Sequence, residues 1–334
     1  MSAVTIAWII GIIVVLLGLV LGGLAVYAAW TARRVERALP PRGRFIDVDG
    51  ARIHYLDEGT GPTLLLIHGL AGQMHHFTYS LMERLKGSYR VVILDRPGNG
   101  YSTRPPRASA AIAAQARTVA RFAKALGLER PLVVGHSLGG AIALSLALNH
   151  PDALSGLALI APATHLQANV PPVFRGLLIR SPLLRWLIAW TLATPLSIRH
   201  AAALLTTIFG PQPVPSDFAT KGGGLLNLRP SSFIGASSDL VAATDDQDDM
   251  AARYGSLTIP VGILFGTDDR ILDPKAHGEA LAAKLPGVDF ELIEGGGHMV
   301  PLSFPERTAK FIARMAQRVA ANAKPTVIAQ PGVA

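Results

Sequence analysis

One serine of this chain stands at the junction of two unlike sequence patterns. In residues 132–147, "LVVGHSLGGAIALSLA", a β-branched run gives way to an apolar helical pattern, and Ser137 lies between glycines at the change. Small neighbours permit a strained turn that would lift the hydroxyl above the end of the strand. The Leu138 N–H would then lie at the positive end of a helix, where a developing oxyanion is stabilised. Ser137 could equally be the N-cap of that helix, so this motif leaves both interpretations open.

A serine nucleophile needs a base, and the base needs a carboxylate that orients it. Asp269 follows the apolar run "VGILFGTDD", and His298 follows "FELIEGGGH". Both come after predicted strands, whose carboxyl ends meet at one edge of a parallel sheet. The chain order of serine, acid and histidine favours a triad of Ser137, Asp269 and His298. Asp268 is a competing acid, and each residue alone would be an ordinary surface group.

The remaining polar candidates are given structural roles. His68 is expected to support the loop after its strand, and His136 to support the serine turn. Adjacent His75 and His76 do not make a metal site without further ligands. The run "DDQDD", residues 245–249, is interpreted as a solvated loop, with weak Ca²⁺ binding as the alternative. No Walker loop and no GxGxxG after the first strand is present, so no cofactor and no metal are predicted.

The elements that must position these residues follow from the hydrophobic pattern. Residues 44–59 alternate around Asp49-Gly50 and predict a β-hairpin. Six continuously apolar runs predict strands covered on both faces: "TLLLIHG", "YRVVILD", "PLVVGHS", "LSGLALIAP", "IPVGILFGTDD" and "VDFELIEGGGH". Helical patterns occupy residues 110–126, 138–149 and 305–321. This alternation predicts an open, mostly parallel α/β sheet with helices on both faces.

Residues 163–240 interrupt the alternation with prolines and long apolar stretches. They predict a helical insertion over the carboxyl edge of the sheet, called the cap below. The α/β core then consists of residues 45–162 and 241–322, and residues 323–334 are predicted to be a disordered tail.

Residues 4–30 contain no charged side chain and would form a helix about 40 Å long, enough to cross a hydrocarbon layer of about 30 Å. Trp8, Tyr27 and Trp30 lie towards its ends, where amphipathic rings favour the interface. We interpret residues 1–31 as a transmembrane anchor and residues 32–44 as a basic linker. A cleaved signal peptide is the main alternative, although the basic n-region is missing; a buried core helix is the other.

The distribution of charge predicts how this anchor is oriented in the membrane. Five Arg and one Glu occur in residues 1–44, and the cap carries six basic and two acidic residues of a chain with net charge +8. Both regions favour an anionic bilayer. Basic residues after the anchor place the main domain on the cytoplasmic face, with the outer face as the alternative. The absence of cysteine fits either compartment. No basic helix interleaved with aromatics is present, so nucleic acid is not a predicted partner.

Taken together, the motifs resemble the α/β-hydrolase family, in its serine esterase and lipase-like branch. The resemblance covers about residues 44–321 outside the cap. It rests on "HGLAG" as the oxyanion loop, "DRPGNGYS" as the next turn, "GHSLGG" as the nucleophile elbow, "GTDDRILDP" as the acid loop and "GGGHMVPLSFPE" as the histidine loop. The resemblance implies that Asp269 is the acid, that the Leu70 N–H is the second oxyanion donor, and that the cap shapes substrate choice.

The resulting expectation is a membrane-anchored hydrolase of lipophilic carboxylic esters, with His75, His76 and Met299 contacting or flanking the substrate. The serine argues against the dehalogenase and epoxide-hydrolase branches, which use an aspartate nucleophile. Carbon–carbon bond hydrolases, cofactor-free haloperoxidase-like enzymes and acyltransferases remain open, as does a catalytically silent tethered binding protein. The apolar cap, with Trp186 and Trp190 one helical turn apart, would either pack on the sheet or touch the bilayer.

Overall fold

The structure, a computed structural model, describes residues 1–165, 170–243 and 247–322, without the side chains of residues 247–249. The strands are β1 (Arg44–Val48), β2 (Ala51–Glu58), β3 (Thr63–Ile67), β4 (Arg90–Leu94), β5 (Leu132–His136), β6 (Gly156–Ile160), β7 (Val261–Gly266) and β8 (Asp289–Ile293). The α-helices are α1 (Ala3–Ala38), α2 (His75–Thr78), α3 (Leu81–Leu85), α4 (Ile112–Ala125), α5 (Leu138–Asn149), α6 (Pro182–Ile188), α7 (Thr194–Phe209), α8 (Pro230–Ala242), α9 (Gln247–Arg253), α10 (Ala280–Ala282), α11 (Val300–Ser303) and α12 (Pro305–Asn322). Short 3₁₀ turns cover Pro151–Ala153, Pro172–Leu177, Gly224–Leu228 and Tyr254–Ser256, and π-helical turns cover Ala189–Ala193 and Lys275–Glu279.

The strands form one sheet in the order β1-β2-β4-β3-β5-β6-β7-β8. From β4 to β8 all neighbours are parallel, whereas the β1–β2 hairpin is antiparallel and pairs antiparallel with β4. Asp49 and Gly50 both have positive φ, 54° and 77°, as a two-residue hairpin turn requires. The predicted mostly parallel α/β sheet is therefore confirmed.

The central strands are apolar except at end residues such as Thr63, Arg90 and His136, because both faces of the sheet are covered. In β3, Leu65 and Ile67 face the cluster that includes Phe122 of α4 and Ile142 of α5. Leu64 and Leu66 belong to the opposite cluster, which contains side chains of α3 and α12. The two cores hold the sheet rigid between helical layers, so that its carboxyl edge is a fixed platform for side chains.

The cap leaves the core after β6 and returns at α9. In its described residues it is built from helices, with α6, the π-helical turn and α7 forming one long apolar stretch and α8 packing back towards the core. Several large apolar side chains on this stretch are exposed, among them Leu183 at 76% and Trp186 at 53% of full exposure. The cap residues therefore do not all pack on the sheet.

α1 is longer than the predicted anchor. It continues through the first half of the segment predicted as a linker and ends at Ala38, because Leu39 precedes Pro40 and leaves the helical conformation. Residues 3–20 of α1 are exposed, whereas Ala28, Thr31 and Val35 are buried, and the C-terminal half of α1 packs against the cap. Two helical stretches, Ala3–Ala38 and Pro182–Phe209, are long and apolar enough to cross a membrane by length and composition.

Two predictions fall wholly or largely outside the described residues. The predicted disordered tail, residues 323–334, lies outside them. Of the acidic run at residues 245–249, only the backbone of 247–249 is described, at the start of α9. The solvated loop and the weak Ca²⁺ site therefore stay predictions.

Candidate active site

Ser137 occupies a strained turn between β5 and α5. Its φ and ψ are 55° and −121°, a backbone conformation that residues other than glycine rarely adopt. No side-chain hydrogen bond from Ser137 caps α5, so the hydroxyl is free for another partner. Leu138 is the first residue of α5, and its N–H is one of the helix's initial amides without an intrahelical acceptor.

The glycines of the motif are required by close approach of the backbone. A Cβ on Gly139 would lie 2.1 Å from the Ile67 carbonyl oxygen, and one on Gly135 would lie 2.6 Å from the Gly139 oxygen. Neither contact is possible for a real side chain. The small residues therefore let the turn, the helix and the end of β3 pack together, and this packing holds the serine at the carboxyl edge of the sheet.

His298 bridges the serine and the acid. Its Nε2 lies 3.0 Å from Ser137 Oγ, and its Nδ1 lies 2.7 Å from Asp269 Oδ2. An ionised carboxylate can only accept, so Nδ1 carries the proton and donates it to Asp269. Nε2 is then free to accept the hydroxyl proton of Ser137. His298 and Ser137 are 5% and 9% exposed, which shields this chain of hydrogen bonds from bulk water.

The Asp269 carboxylate is fixed from its other side. The backbone N–H groups of Ile271 and Leu272 donate to Oδ1 at 2.8 and 3.0 Å, and the Asp269 side chain is fully buried. The competing acid, Asp268, is exposed and accepts from Thr267 Oγ1. The structure thus brings Asp269, and not Asp268, to the histidine.

The loop after β3 lies directly beside the serine. A Cβ on Gly69 would be 2.8 Å from Ser137 Cβ, and Leu70 follows in the same loop. His68 is buried, accepts from the Arg96 N–H at Nε2 and contacts the Gly69 carbonyl through Nδ1. Burial, assisted by Arg96, lowers the pKa of His68 to about 3, so that this ring is neutral. It supports the loop rather than moving protons.

A cavity of about 880 Å³ opens between these residues and the cap. Its walls include Ser137, His298, Leu70 and Leu138, so both predicted oxyanion residues line the same space as the serine. The remainder is mostly aliphatic and comes largely from the cap, including Phe174, Ile188, Leu192, Leu196, Leu204, Ile208 and Phe218. A space of this size and character suits an apolar group rather than a charged metabolite.

The three predicted substrate-contacting residues are placed differently. His76 and Met299 line the cavity. Within the described part of the chain the buried His76 ring has no hydrogen-bond partner, and burial, with His75 nearby, lowers its pKa to about 4. His75 is not among the lining residues, since its Nδ1 lies 2.6 Å from Gln73 Oε1. His76 is thus a neutral wall of the cavity, and His75 belongs to its support.

Two cap residues that sequence analysis missed hold the site together. Gln212 accepts from the Gly297 N–H at 2.8 Å and donates to the Gly295 carbonyl at 2.7 Å, which clamps the loop before His298. Asp239 is a buried acid on α8 that pairs with Arg96. Each appears in the sequence as one polar residue within an apolar insertion, a weak signal without the fold. Among the described residues no three His, Asp or Glu side chains converge to hold a metal ion.

A family model described as the alpha/beta hydrolase fold matches residues 62–305. This chain belongs to the α/β-hydrolase family. The membership confirms the resemblance drawn from the five motifs and supports a hydrolase.

Several known proteins are similar to this α/β-hydrolase over most of its length. An uncharacterized protein of Mycobacterium tuberculosis is 30% identical over 84% of this chain and 82% of its own length. Haloalkane dehalogenase 2 of the same organism is 29% identical over 82% of this chain and 94% of its own. Among solved structures, a membrane phospholipase A described as a bacterial virulence factor matches with a TM-score of 0.66 and 26% identity, covering 96% of this chain and 99% of its own.

Proposed function

We propose that this α/β-hydrolase cleaves carboxylic esters through an acyl-enzyme on Ser137. The observation that carries the proposal is the position of His298, with one ring nitrogen on Ser137 Oγ and the other on Asp269. This arrangement supplies a base for the hydroxyl and a carboxylate that stabilises the protonated imidazole.

In the first half-reaction Ser137 Oγ attacks the ester carbonyl carbon while its proton passes to His298 Nε2. The carbonyl oxygen becomes an oxyanion, which accepts hydrogen bonds from the Leu70 and Leu138 N–H groups; losing one such donor costs roughly 3 kcal/mol in comparable sites. Collapse of the intermediate breaks the ester C–O bond, and His298 returns its proton to the departing alcohol. Water then attacks the acyl carbon with His298 as base, and the acid leaves as Ser137 regains its proton.

The cavity supports a lipophilic substrate. Its wall beside Ser137 is formed mainly by aliphatic cap side chains, and His76 presents a neutral ring. A long acyl chain placed there would leave water, at about 0.8 kcal/mol per buried methylene. The relative described as a phospholipase A cleaves an ester of this kind. The activity of the dehalogenase relative fits this site less well. Attack of Ser137 on a haloalkane would form a serine alkyl ether, which has no carbonyl for water to attack.

Turnover of p-nitrophenyl esters of graded chain length tests this proposal directly. We expect kcat/KM to rise with acyl length and Ser137→Ala to abolish turnover. A fluorophosphonate probe should label the wild-type protein and not the Ser137→Ala variant. Full activity of the variant, or no ester hydrolysis by a labelled wild type, would refute ester hydrolysis. Product analysis with an added alcohol separates hydrolysis from acyl transfer.

We further propose that α1 anchors the enzyme in a membrane, with the catalytic domain on the cytoplasmic face. The exposed residues 3–20 of α1 carry no charge and are almost all apolar, and basic residues follow the helix's uncharged run from residue 33 on. The match to the membrane phospholipase A covers 96% of this chain. The unmatched residues are fewer than the 36 residues of α1, so the match includes at least part of this helix. Carbonate extraction of the full-length protein and C-terminal reporter fusions would test insertion and orientation. Release by carbonate, or an N-terminus cleaved in the mature protein, would contradict the anchor.

The packing of α1 on the cap supports a position of the cap at the bilayer surface. α1 packs against the cap while still within its apolar run, so the exposed apolar side chains of the cap lie beside the proposed anchor. Leu192 and Leu196 are 45% and 47% exposed and also line the cavity, which places an opening of the cavity on this apolar face. We propose that this face contacts the membrane and receives acyl chains from it.

Substitutions on the cap test membrane contact without removing the anchor. The double variant Leu183→Gln, Trp186→Gln should lower hydrolysis of p-nitrophenyl palmitate in anionic vesicles several-fold, roughly as expected from lost interfacial burial, while p-nitrophenyl acetate turnover stays unchanged. Leu292, 37% exposed on β8, offers a matched control as Leu292→Gln. Equal activity of the double variant and this control on the vesicle substrate would contradict membrane contact by the cap.

A further inference from the structure

The loop that carries the proposed oxyanion donor Leu70 is held by a single buried guanidinium. Arg96 is fully buried, and its Nε donates to the His68 carbonyl at 2.9 Å while its Nη2 donates to the Gly69 carbonyl at 2.8 Å. The Arg96 backbone N–H also donates to His68 Nε2 at 2.9 Å. The two bonds to carbonyls fix both peptide units that precede Leu70, and so fix the direction of its N–H, while the third holds the His68 ring.

The other end of the Arg96 side chain reaches the cap. Nη1 donates to Asp239 Oδ2 at 2.7 Å and to Gln115 Oε1 of α4 at 2.6 Å. Asp239 lies on α8, its side chain is fully buried, and it also accepts from Asn99 at 3.0 Å and from Arg104. One buried guanidinium, one partly buried guanidinium and one buried carboxylate therefore meet where a cap helix packs on the core.

α8 is seated closely enough to hold this geometry. A Cβ on Gly235, one helical turn before Asp239, would lie 2.0 Å from the Gly98 carbonyl oxygen, so the helix backbone rests directly on the turn after β4. Burial would raise the pKa of the Asp239 carboxyl, but Arg96 and Arg104 outweigh burial and hold that pKa below its ordinary value. The two guanidinium groups thus favour the ionised form of Asp239, and a buried guanidinium without such a partner is strongly destabilised.

We infer that Asp239 is a positioning residue for the oxyanion hole: by pairing with Arg96 it fixes the Gly69 and His68 carbonyls and thereby aims the Leu70 N–H at the reacting carbonyl. The cap then does more than shape the cavity, because its seating on the core completes the catalytic geometry. This inference rests on the proposed serine-hydrolase function.

Arg104 provides a matched control. It pairs with the same carboxylate, and it also donates to the Pro97 carbonyl, which lies outside the oxyanion loop. Asp239→Asn keeps the shape of the side chain and removes its charge, whereas Arg104→Gln removes a buried ion pair with Asp239 and leaves Arg96 in place. Both variants are assayed as full-length protein with p-nitrophenyl butyrate.

We expect Asp239→Asn to lower kcat about 10-fold or more, part of the 10²–10³-fold effect of losing an oxyanion donor, with KM within about twofold of wild type. Affinity for a trifluoromethyl ketone, which forms an oxyanion on Ser137, should fall in parallel, while affinity for the product acid should not. Arg104→Gln should retain kcat within about twofold at a similar loss of thermal stability. Equal loss of kcat in the two variants, or wild-type kcat in Asp239→Asn, would overturn the inference.

A second pair keeps the test open if Asp239→Asn does not fold. Arg96→Lys and Arg104→Lys both retain a cation beside Asp239, but a lysine ammonium cannot span the two loop carbonyls as the Arg96 fork does. Only Arg96→Lys should lose kcat; equal kcat in the two lysine variants would overturn the inference. Failure of the proposed function is distinguishable, since the wild type itself would then not turn over the ester, whereas failure of this inference leaves wild-type turnover intact.

Discussion

Gly69 and Ser137 pack so closely that a β-carbon on residue 69 would lie 2.8 Å from Ser137 Cβ and 3.3 Å from its Oγ. The oxyanion loop and the nucleophile therefore pack together with no room for a methyl group between them. We expect Gly69→Ala to push the loop away from the serine and to lower kcat about 10- to 100-fold, a fraction of full oxyanion-hole loss. Steady-state kinetics on a short p-nitrophenyl ester measures the effect.

Gly87→Ala is the control for this substitution, because an added Cβ there meets nothing within 4 Å. It should leave kcat and KM unchanged. If Gly69→Ala were as active as this control, the close contact would have no bearing on catalysis.

The two neighbouring acids should behave in opposite ways. Asp269→Asn keeps the size of the side chain but offers an amide to His298 Nδ1, which favours the wrong tautomer; comparable changes lower kcat about 10⁴-fold. Asp268→Asn, at an exposed carboxylate, should change kcat less than twofold, as expected away from the reacting groups. Kinetics of the two variants side by side decides between the acids, and a larger loss in Asp268→Asn would reverse the assignment.

Backbone strain at Ser137 predicts that Ser137→Gly is more stable than Ser137→Ala, although both substitutions remove the hydroxyl. A residue with a β-carbon at φ 55° and ψ −121° is strained, at a typical cost of about 1–3 kcal/mol. Ser137→Gly relieves this strain and Ser137→Ala does not, although neither has a hydroxyl. The free energy of unfolding should be about 1 kcal/mol higher for the glycine variant, after its greater unfolded-state entropy is allowed for. Equal denaturation midpoints would argue against stored strain.

Stability should fall as the pH drops below about 6.5, because buried histidines stay neutral in the folded state. Burial is the main cause that lowers the pKa of His68 to about 3 and of His76 and His277 to about 4, from an ordinary 6.5. The unfolded chain therefore takes up protons first, and each of these groups removes about 1.4 kcal/mol of stability per pH unit between its unfolded and folded pKa. The contribution of these neutral histidines to the free energy of unfolding is fully present above pH 6.5 and is progressively lost towards pH 4.

Denaturant unfolding in detergent at pH 7.5, 6.0 and 5.0 measures this dependence. His76→Phe should reduce the slope by about one proton, since it removes one titrating ring from the apolar wall. An unfolding free energy that does not change across this range would contradict the prediction.

Much of the scaffold could be predicted from the sequence, because buried parallel strands, a hairpin turn and a nucleophile turn each have a local signature. The apolar runs gave every strand from β3 to β8, and Asp49-Gly50 gave the hairpin. The family membership expected from the five motifs is confirmed by the match over residues 62–305. The end of α1 at Ala38 lies beyond residues 1–31, since arginines and alanines continue a helix as well as they form a linker, until Pro40 stops it.

The sequence by itself determined the elements of this protein and the side chains available for chemistry, because periodicity, glycine spacing and chain order are local properties. Only the tertiary structure brought Asp269 rather than Asp268 to His298, placed His75 outside the cavity lining, and joined Asp239 to Arg96 across 143 positions of chain. These relationships depend on which elements pack together in three dimensions. A polar residue in the cap acquires its partner only when α8 is seated on the turn after β4, and no local pattern records that contact.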